Sequence, residues 1–272
     1  MKNMSFGQYY PARSPLHALD ARSKVILSVL YIVCTFLCKN VLSFGALLAS
    51  AVLLLLLSRI PARMVLGSLR PLLFVMLFTA VLNLFFTGGE TELFSCGVIH
   101  IYLEGVYSAV FMLVRIMVLI LSTSLFLTYT TTPIALTDAI ESLLSPLRVI
   151  KLPVHEFAMM MTIALRFIPT LTEETEKIMN AQKARGVDFS SGGLIKRAKA
   201  LIPILIPLFI SSFRRADELA TAMECRCYRG GEGRTKMRTS HIRLRDVAAV
   251  ILMAAFGAAV ILLNRLGIGY SM

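Results

Sequence analysis

The sequence predicts an all-α integral membrane protein. It has about five transmembrane helices and three cytoplasmic or interfacial helices placed before the last span, two of them long. Three observations predict this. Hydrophobic residues make up 57% and charged residues 16% of the 272 positions, and mean hydropathy is +0.74, where a soluble domain runs near half apolar and a quarter charged. The apolar residues gather into runs of membrane-spanning character, separated by short polar linkers. Between the fourth and fifth runs the pattern changes to helices that start apolar and finish polar. The net charge of +12 is spread over several linkers, which fits cytoplasmic loops. It does not fit nucleic-acid binding, for which no fold is visible.

Residues 1–20 lack an apolar core of signal-peptide type, so no cleaved leader is expected. Leu19-Asp20-Ala21-Arg22-Ser23-Lys24 leads into a first span over Val25–Cys38, short for a crossing of about 20 residues. Lys39-Asn40 is a tight turn, and Val41–Leu57 is the second span. The linker Ser58–Arg70 holds Arg59, Arg63 and Arg70 and no acid. Pro71–Phe86 is the third span. Thr87–Glu104 carries Glu90, Glu92 and Glu104 with no Lys or Arg, and Gly105–Thr130 is the fourth span. The positive-inside rule then sets the N-terminus in the cytoplasm, with Lys39 on the wrong side.

Pro133–Leu147 reads as a short amphipathic helix lying in the interface. Thr132 caps it, Asp138 and Glu141 lie on its polar side, and Pro146 ends it. Pro153–Arg185 is a helix of about 50 Å, kinked at Pro169 and stopped by Gly186. After a turn at Ser190-Ser191-Gly192-Gly193, the second long helix (about 193–227) starts basic at Lys196, Arg197 and Lys199. It becomes apolar over Leu201–Phe209 and bends at Pro203 and Pro207. Gly230–Lys236 is a flexible basic linker, and Val247–Leu263 is the fifth span, which leaves the C-terminus outside. Three regions result: a four-span bundle (1–130), a region of one short and two long helices (131–230), and a basic linker with the last span (231–272).

The two long helices end alike. Ile178, Ala181 and Arg185 share one helical face, and Leu219, Ala222 and Arg226 repeat the offsets i, i+3, i+7. One arginine at a helix C-terminus says little, because the helix dipole favours any cation there. Two copies on helices of the same design point to a shared role.

Chemistry of the usual enzymatic kinds is missing from the chain. There is no G-x-x-x-x-G-K-[ST] phosphate loop. His155-Glu156 lacks the second histidine of H-E-x-x-H, with Met159 and Met160 following instead. The five cysteines form no framework: Cys34 and Cys38 lie in an apolar helix, Cys96 in a loop, and Cys225 and Cys227 flank Arg226. No metal site or disulfide is expected. Arg115 is a charge within the fourth span, and Arg166 lies near a membrane end of the first long helix. An intramembrane arginine is either functional or a structural charge paired with an acid or a backbone carbonyl; Glu104 and Asp138 are candidate partners for Arg115. Arg166 can also snorkel.

Leu165-Arg166-Phe167-Ile168-Pro169, Ala181-Gln182-Lys183-Ala184-Arg185-Gly186, Ala222-Met223-Glu224 before Arg226, and Tyr228-Arg229-Gly230-Gly231 resemble the transmembrane T component of energy-coupling factor (ECF) transporters, the CbiQ-type family. The resemblance covers nearly the whole chain. It implies a non-catalytic scaffold in the cell membrane whose two long helices cross. Each X-Arg-X end docks on one of two ABC-type ATPases, which bind the ATP and Mg. A membrane-embedded S component, exchangeable in some systems, binds vitamins or other micronutrients. The docking motifs carried over are Ala184-Arg185-Gly186 and Cys225-Arg226-Cys227; the second departs from the usual Ala-Arg-Gly pattern. No cofactor is implied for this chain. The alternatives are a self-contained secondary carrier, which should show inverted repeats, and a membrane-embedded enzyme sited near Arg115, Glu104 or His155-Glu156.

Overall fold

The computed structural model describes residues 9–89, 91–96, 99–150, 153–189, 193–230 and 241–265. The expected turn residues 190–192, most of the basic linker (231–240) and the C-terminal end (266–272) lie outside the described residues. The helices are α1 (Ala21–Leu37), α2 (Val41–Ser58), α3 (Ala62–Gly67), α4 (Leu73–Phe86), α5 (Leu103–Thr123), α6 (Pro133–Leu144), α7 (Val154–Ala184), α8 (Leu194–Cys225) and α9 (Leu244–Arg265). The chain divides into two units. One holds α1–α5 and α9, the other α7 and α8, and the division falls within α6 at Ala139/Ile140.

In the first unit, α1 and α9 run parallel and are clasped at both ends. Asp20 caps α1 by accepting from Arg22 N at 3.0 Å. Its own amide donates to Asp246 Oδ1 at 2.7 Å, and Asp246 Oδ2 accepts from Arg243 N at 2.8 Å. Asp246 is only 2% exposed, so these backbone donors are what make its burial tolerable. At the other end Asn264 Nδ2 donates to the Leu37 carbonyl at 2.6 Å, and Asn40 Nδ2 donates to the Asn264 carbonyl at 3.3 Å. Between the clasps Leu27, Tyr31 and Cys34 follow the i, i+4, i+7 spacing of one buried face. Tyr31 stacks on Phe256 at 6.3 Å, and its hydroxyl meets Ser50 Oγ at 2.8 Å. Gly257 lets the two helices approach: a Cβ there would sit 3.0 Å from Cys34 Sγ.

Helices α2 and α5 complete the core through Phe44, Leu47, Phe111, Val118 and Phe126. Phe44 and Phe111 stack at 4.7 Å. Beyond Thr123, α5 continues as a π-helical turn over Ser124–Tyr129. This wider turn points Leu125, Phe126 and Tyr129 into the core. Tyr129 then donates from its hydroxyl to the Met64 carbonyl at 3.1 Å and accepts at its carbonyl from Tyr10 N at 3.0 Å. The outward residues of α4, among them Phe74, Leu77 and Phe86, are exposed, which suits a lipid-facing surface.

Four helical stretches are long and apolar enough to cross a membrane: Val41–Ser58, Ala62–Phe86, Leu103–Tyr129 and Leu244–Arg265. The expected first span is the short one. Its helix has 17 residues, and Arg22 and Lys24 occupy its first turn. It is clasped beside α9 from Asp246 to Asn264 and so runs alongside nearly the whole of that helix. The third span differs from expectation at its start, where α3 and a 3₁₀ turn at Arg70–Leu72 precede α4. The acidic loop 87–104 contains a two-stranded antiparallel hairpin, β1 (Glu92–Cys96) with β2 (Ile99–Tyr102). The helix expected over 133–147 is α6 only to Leu144, followed by a 3₁₀ turn over Ser145–Ile150 that absorbs Pro146. Thr132 Oγ1 accepts from Ala135 N at 3.3 Å, the expected cap.

In the second unit α7 and α8 pack against each other in opposite senses. Glu174 meets Arg215, and Gln182 Nε2 donates to the Pro203 carbonyl at 3.5 Å. Pro169 in α7 and Pro203 and Pro207 in α8 lie inside helices of 31 and 32 residues that continue past them.

Candidate docking site at the two long-helix ends

Both long helices end on an arginine in the same backbone geometry. Arg185 is the C-cap of α7 with φ −83° and ψ 6°, and Arg226 is the C-cap of α8 with φ −92° and ψ 14°. The residue after each is left-handed: Gly186 at φ +86° and Cys227 at φ +57°. The hydrogen bonds match as well. Gly186 N donates to the Lys183 carbonyl at 3.0 Å and Val187 N to Gln182 at 3.1 Å. Cys227 N donates to Glu224 at 2.8 Å and Tyr228 N to Met223 at 3.0 Å. Each end is therefore a Schellman motif, which satisfies the terminal carbonyls and halts the helix at a fixed residue. Glycine at 186 adopts this conformation freely, while cysteine at 227 adopts it against a Cβ clash. The Cys-Arg-Cys departure thus preserves the geometry of Ala-Arg-Gly. Ala184, Arg185, Gly186, Cys225, Arg226 and Cys227 are all exposed.

The ion pair between the helices sits symmetrically. Arg215 Nη2 lies 2.9 Å from Glu174 Oε2, with the side chains 30% and 29% exposed. Arg185 is eleven residues beyond Glu174, and Arg226 is eleven residues beyond Arg215. At 1.5 Å per residue each arginine stands about 16 Å along its helix from the pair. Because the helices run in opposite senses, the two arginines leave the pair in opposite directions. The polar second halves of the helices foreshadow contact there; the residue-to-residue match needs the packed register.

The remaining singled-out residues lie elsewhere. Arg115 Nη2 donates to the Cys38 carbonyl at 3.0 Å, and its guanidinium lies 5.3 Å from the centre of the Phe44 ring. Glu104, a candidate partner, accepts from Thr91 Oγ1 at 2.9 Å. Arg166 is exposed on α7. His155 Nδ1 pairs with Glu141 Oε1 at 3.0 Å, joining α7 to α6, so the His155-Glu156 dipeptide is not the working unit. Among the described residues no group of three His, Cys, Asp or Glu is placed to hold a metal ion.

The fold and the twin helix ends define a multi-span membrane protein with a second unit of two long helices, each ending on an arginine. Residues 12–237 match the CbiQ family, described as cobalt transport protein, and the chain belongs to that family. It is similar to curated proteins described as energy-coupling factor transporter transmembrane protein EcfT. The one from Ruminiclostridium cellulolyticum is 51% identical over 97% of this chain and 98% of that protein. That from Clostridium kluyveri is 51% identical over 92% of each. That from Bacillus subtilis is 44% identical over 97% and 99%.

Proposed function

We propose that this chain is the transmembrane coupling subunit of an ECF-type importer. It passes the movement of two cytoplasmic ABC-type ATPases to a membrane-embedded S component that captures a vitamin or other micronutrient. Arg185 docks in one ATPase and Arg226 in the other. ATP and Mg reside in those partners, and this chain carries out no catalysis. The observation that carries the reading is the matched pair of Schellman-capped arginines at equal distances from one ion pair. An arginine held at a fixed helix end delivers a planar fork of donors to a carboxylate or to carbonyls in a partner groove. A helix that starts apolar and finishes polar can carry the resulting displacement to the membrane as a rigid body.

The bundle's charges support an orientation. Arg13, Arg22, Lys24, Arg59, Arg63, Arg243 and Arg245 gather at the end holding the Asp20–Asp246 clasp. Glu104 marks the opposite end. The basic end is then cytoplasmic, which puts the N-terminus inside and the end of α9 outside. The test is co-purification and uptake with Arg185→Glu plus Arg226→Glu. The expected result is loss of both ATPases and of ATP-driven uptake, with the chain still in the membrane. Normal uptake by the double variant would overturn the docking role.

A further inference from the structure

The basic end of the bundle holds a cavity of about 930 Å³ that the docking role leaves unused. Its walls are apolar, with Leu27, Leu54, Phe126, Leu252 and Met253 contributed by four elements. Three arginines stand on its lining: Arg13 before α1, Arg59 at the end of α2 and Arg245 in the first turn of α9. All three are exposed, and among the described residues no acidic side chain lines the cavity. At the same end of the bundle the Asp20 carboxylate accepts from Arg22 N, and that of Asp246 from Asp20 N and Arg243 N. Arg59 is held in the left-handed region at φ 53°, a conformation a non-glycine residue adopts at a cost.

We propose that this cavity binds one anionic phospholipid, its phosphate among Arg13, Arg59 and Arg245 and its acyl chains against the leucine wall. An apolar slot rimmed by three cations at the end of a membrane bundle matches both halves of such a lipid. A free inorganic anion would leave the apolar wall wet, and an acidic protein segment would have no use for it. The lipid would bridge α2, α9 and the segment before α1, and so tie the bundle's last helix to its first residues. The inference rests on membrane placement of the bundle and not on ATPase docking, so either can fail alone.

The test is native mass spectrometry of the full chain, delipidated in neutral detergent and titrated with dioleoylphosphatidylglycerol or dioleoylphosphatidylcholine. The expected result is one tightly held phosphatidylglycerol, weakened about a hundredfold in Arg13→Gln/Arg59→Gln/Arg245→Gln, as expected for three cationic contacts. Lysine at the same three positions should recover most of the binding. If the glutamine variant does not fold, Leu252→Glu, which places a carboxylate on the lining and leaves the arginines, should weaken lipid binding. Three outcomes overturn the proposal: equal affinity for the two lipids, unchanged binding in both variants, or full displacement by millimolar inorganic phosphate, which would mark a site for the free anion.

Discussion

Cysteine at 227 sits where its counterpart, Gly186, needs no side chain, and exchanging them should move the two helix ends in opposite directions. A Cβ-bearing residue in the left-handed region costs about 1 kcal/mol or slightly more. Cys227 pays it at φ +57°, in return for the bonds from Cys227 N to Glu224 and from Tyr228 N to Met223. Cys227→Gly removes the clash but loosens the unfolded end, so the net gain is about 0.5 kcal/mol. Opening of the last turn should become rarer by roughly twofold, since about 1.4 kcal/mol is a factor of ten. Gly186→Cys should make the last turn of α7 open more often by a similar factor, because its φ of +86° lies at the edge of what a side chain allows. Hydrogen exchange read at Tyr228 and Val187, whose amides close the two motifs, reports this directly. Equal exchange at Tyr228 in native and Cys227→Gly protein would refute the argument, since the strain would then be absent. Neither substitution touches the arginine, so co-purification of partner ATPases should follow the stability of the end and not its charge.

Two further outcomes follow from the geometry. The Glu174–Arg215 pair is about one-third exposed on each side, so Glu174→Gln or Arg215→Gln should lower thermal stability by no more than about 1 kcal/mol. Uptake should fall further than stability in each single variant and return in Glu174→Arg/Arg215→Glu; failure of the swap to restore uptake would remove the pair from the coupling path. Lys24 is 2% exposed and donates to the Thr130 carbonyl at 2.7 Å. Lys24→Met leaves that buried carbonyl without its donor, so the variant should melt at a lower temperature in detergent, and an unchanged melting temperature would refute the contact's role.

The parts legible in the sequence were those written in local chemistry. Gly186 after Arg185 is a stop signal at one position, and Thr132 before Pro133 is a start signal, and both stand where expected. The hydropathy of 41–58, 103–129 and 244–265 sufficed for those spans. What escaped depends on partners far along the chain. Cysteine carries no left-handed preference, so Cys227 gave no sign of matching Gly186 beyond its alignment with it. Arg115 was legible as an anomaly, but its acceptor is a carbonyl at Cys38, which no side-chain pattern encodes. The Glu174–Arg215 register and the three-arginine cavity arise only once helices pack. The hairpin at 92–102 hides in a loop too short and mixed to display a period of two.

The clasp between α1 and α9 has a consequence for biosynthesis. Asp20 and Asp246 are 226 residues apart, and at about 5–20 residues per second the ribosome needs roughly 10–45 s to supply the second after the first. Throughout that interval the Leu27, Tyr31 and Cys34 face of α1 waits for Phe256 and Gly257. A chain released before its last helix therefore leaves the first one orphaned, with a buried-type tyrosine and unclaimed backbone groups at both ends. The fold of the first unit therefore closes only when the last helix has been made.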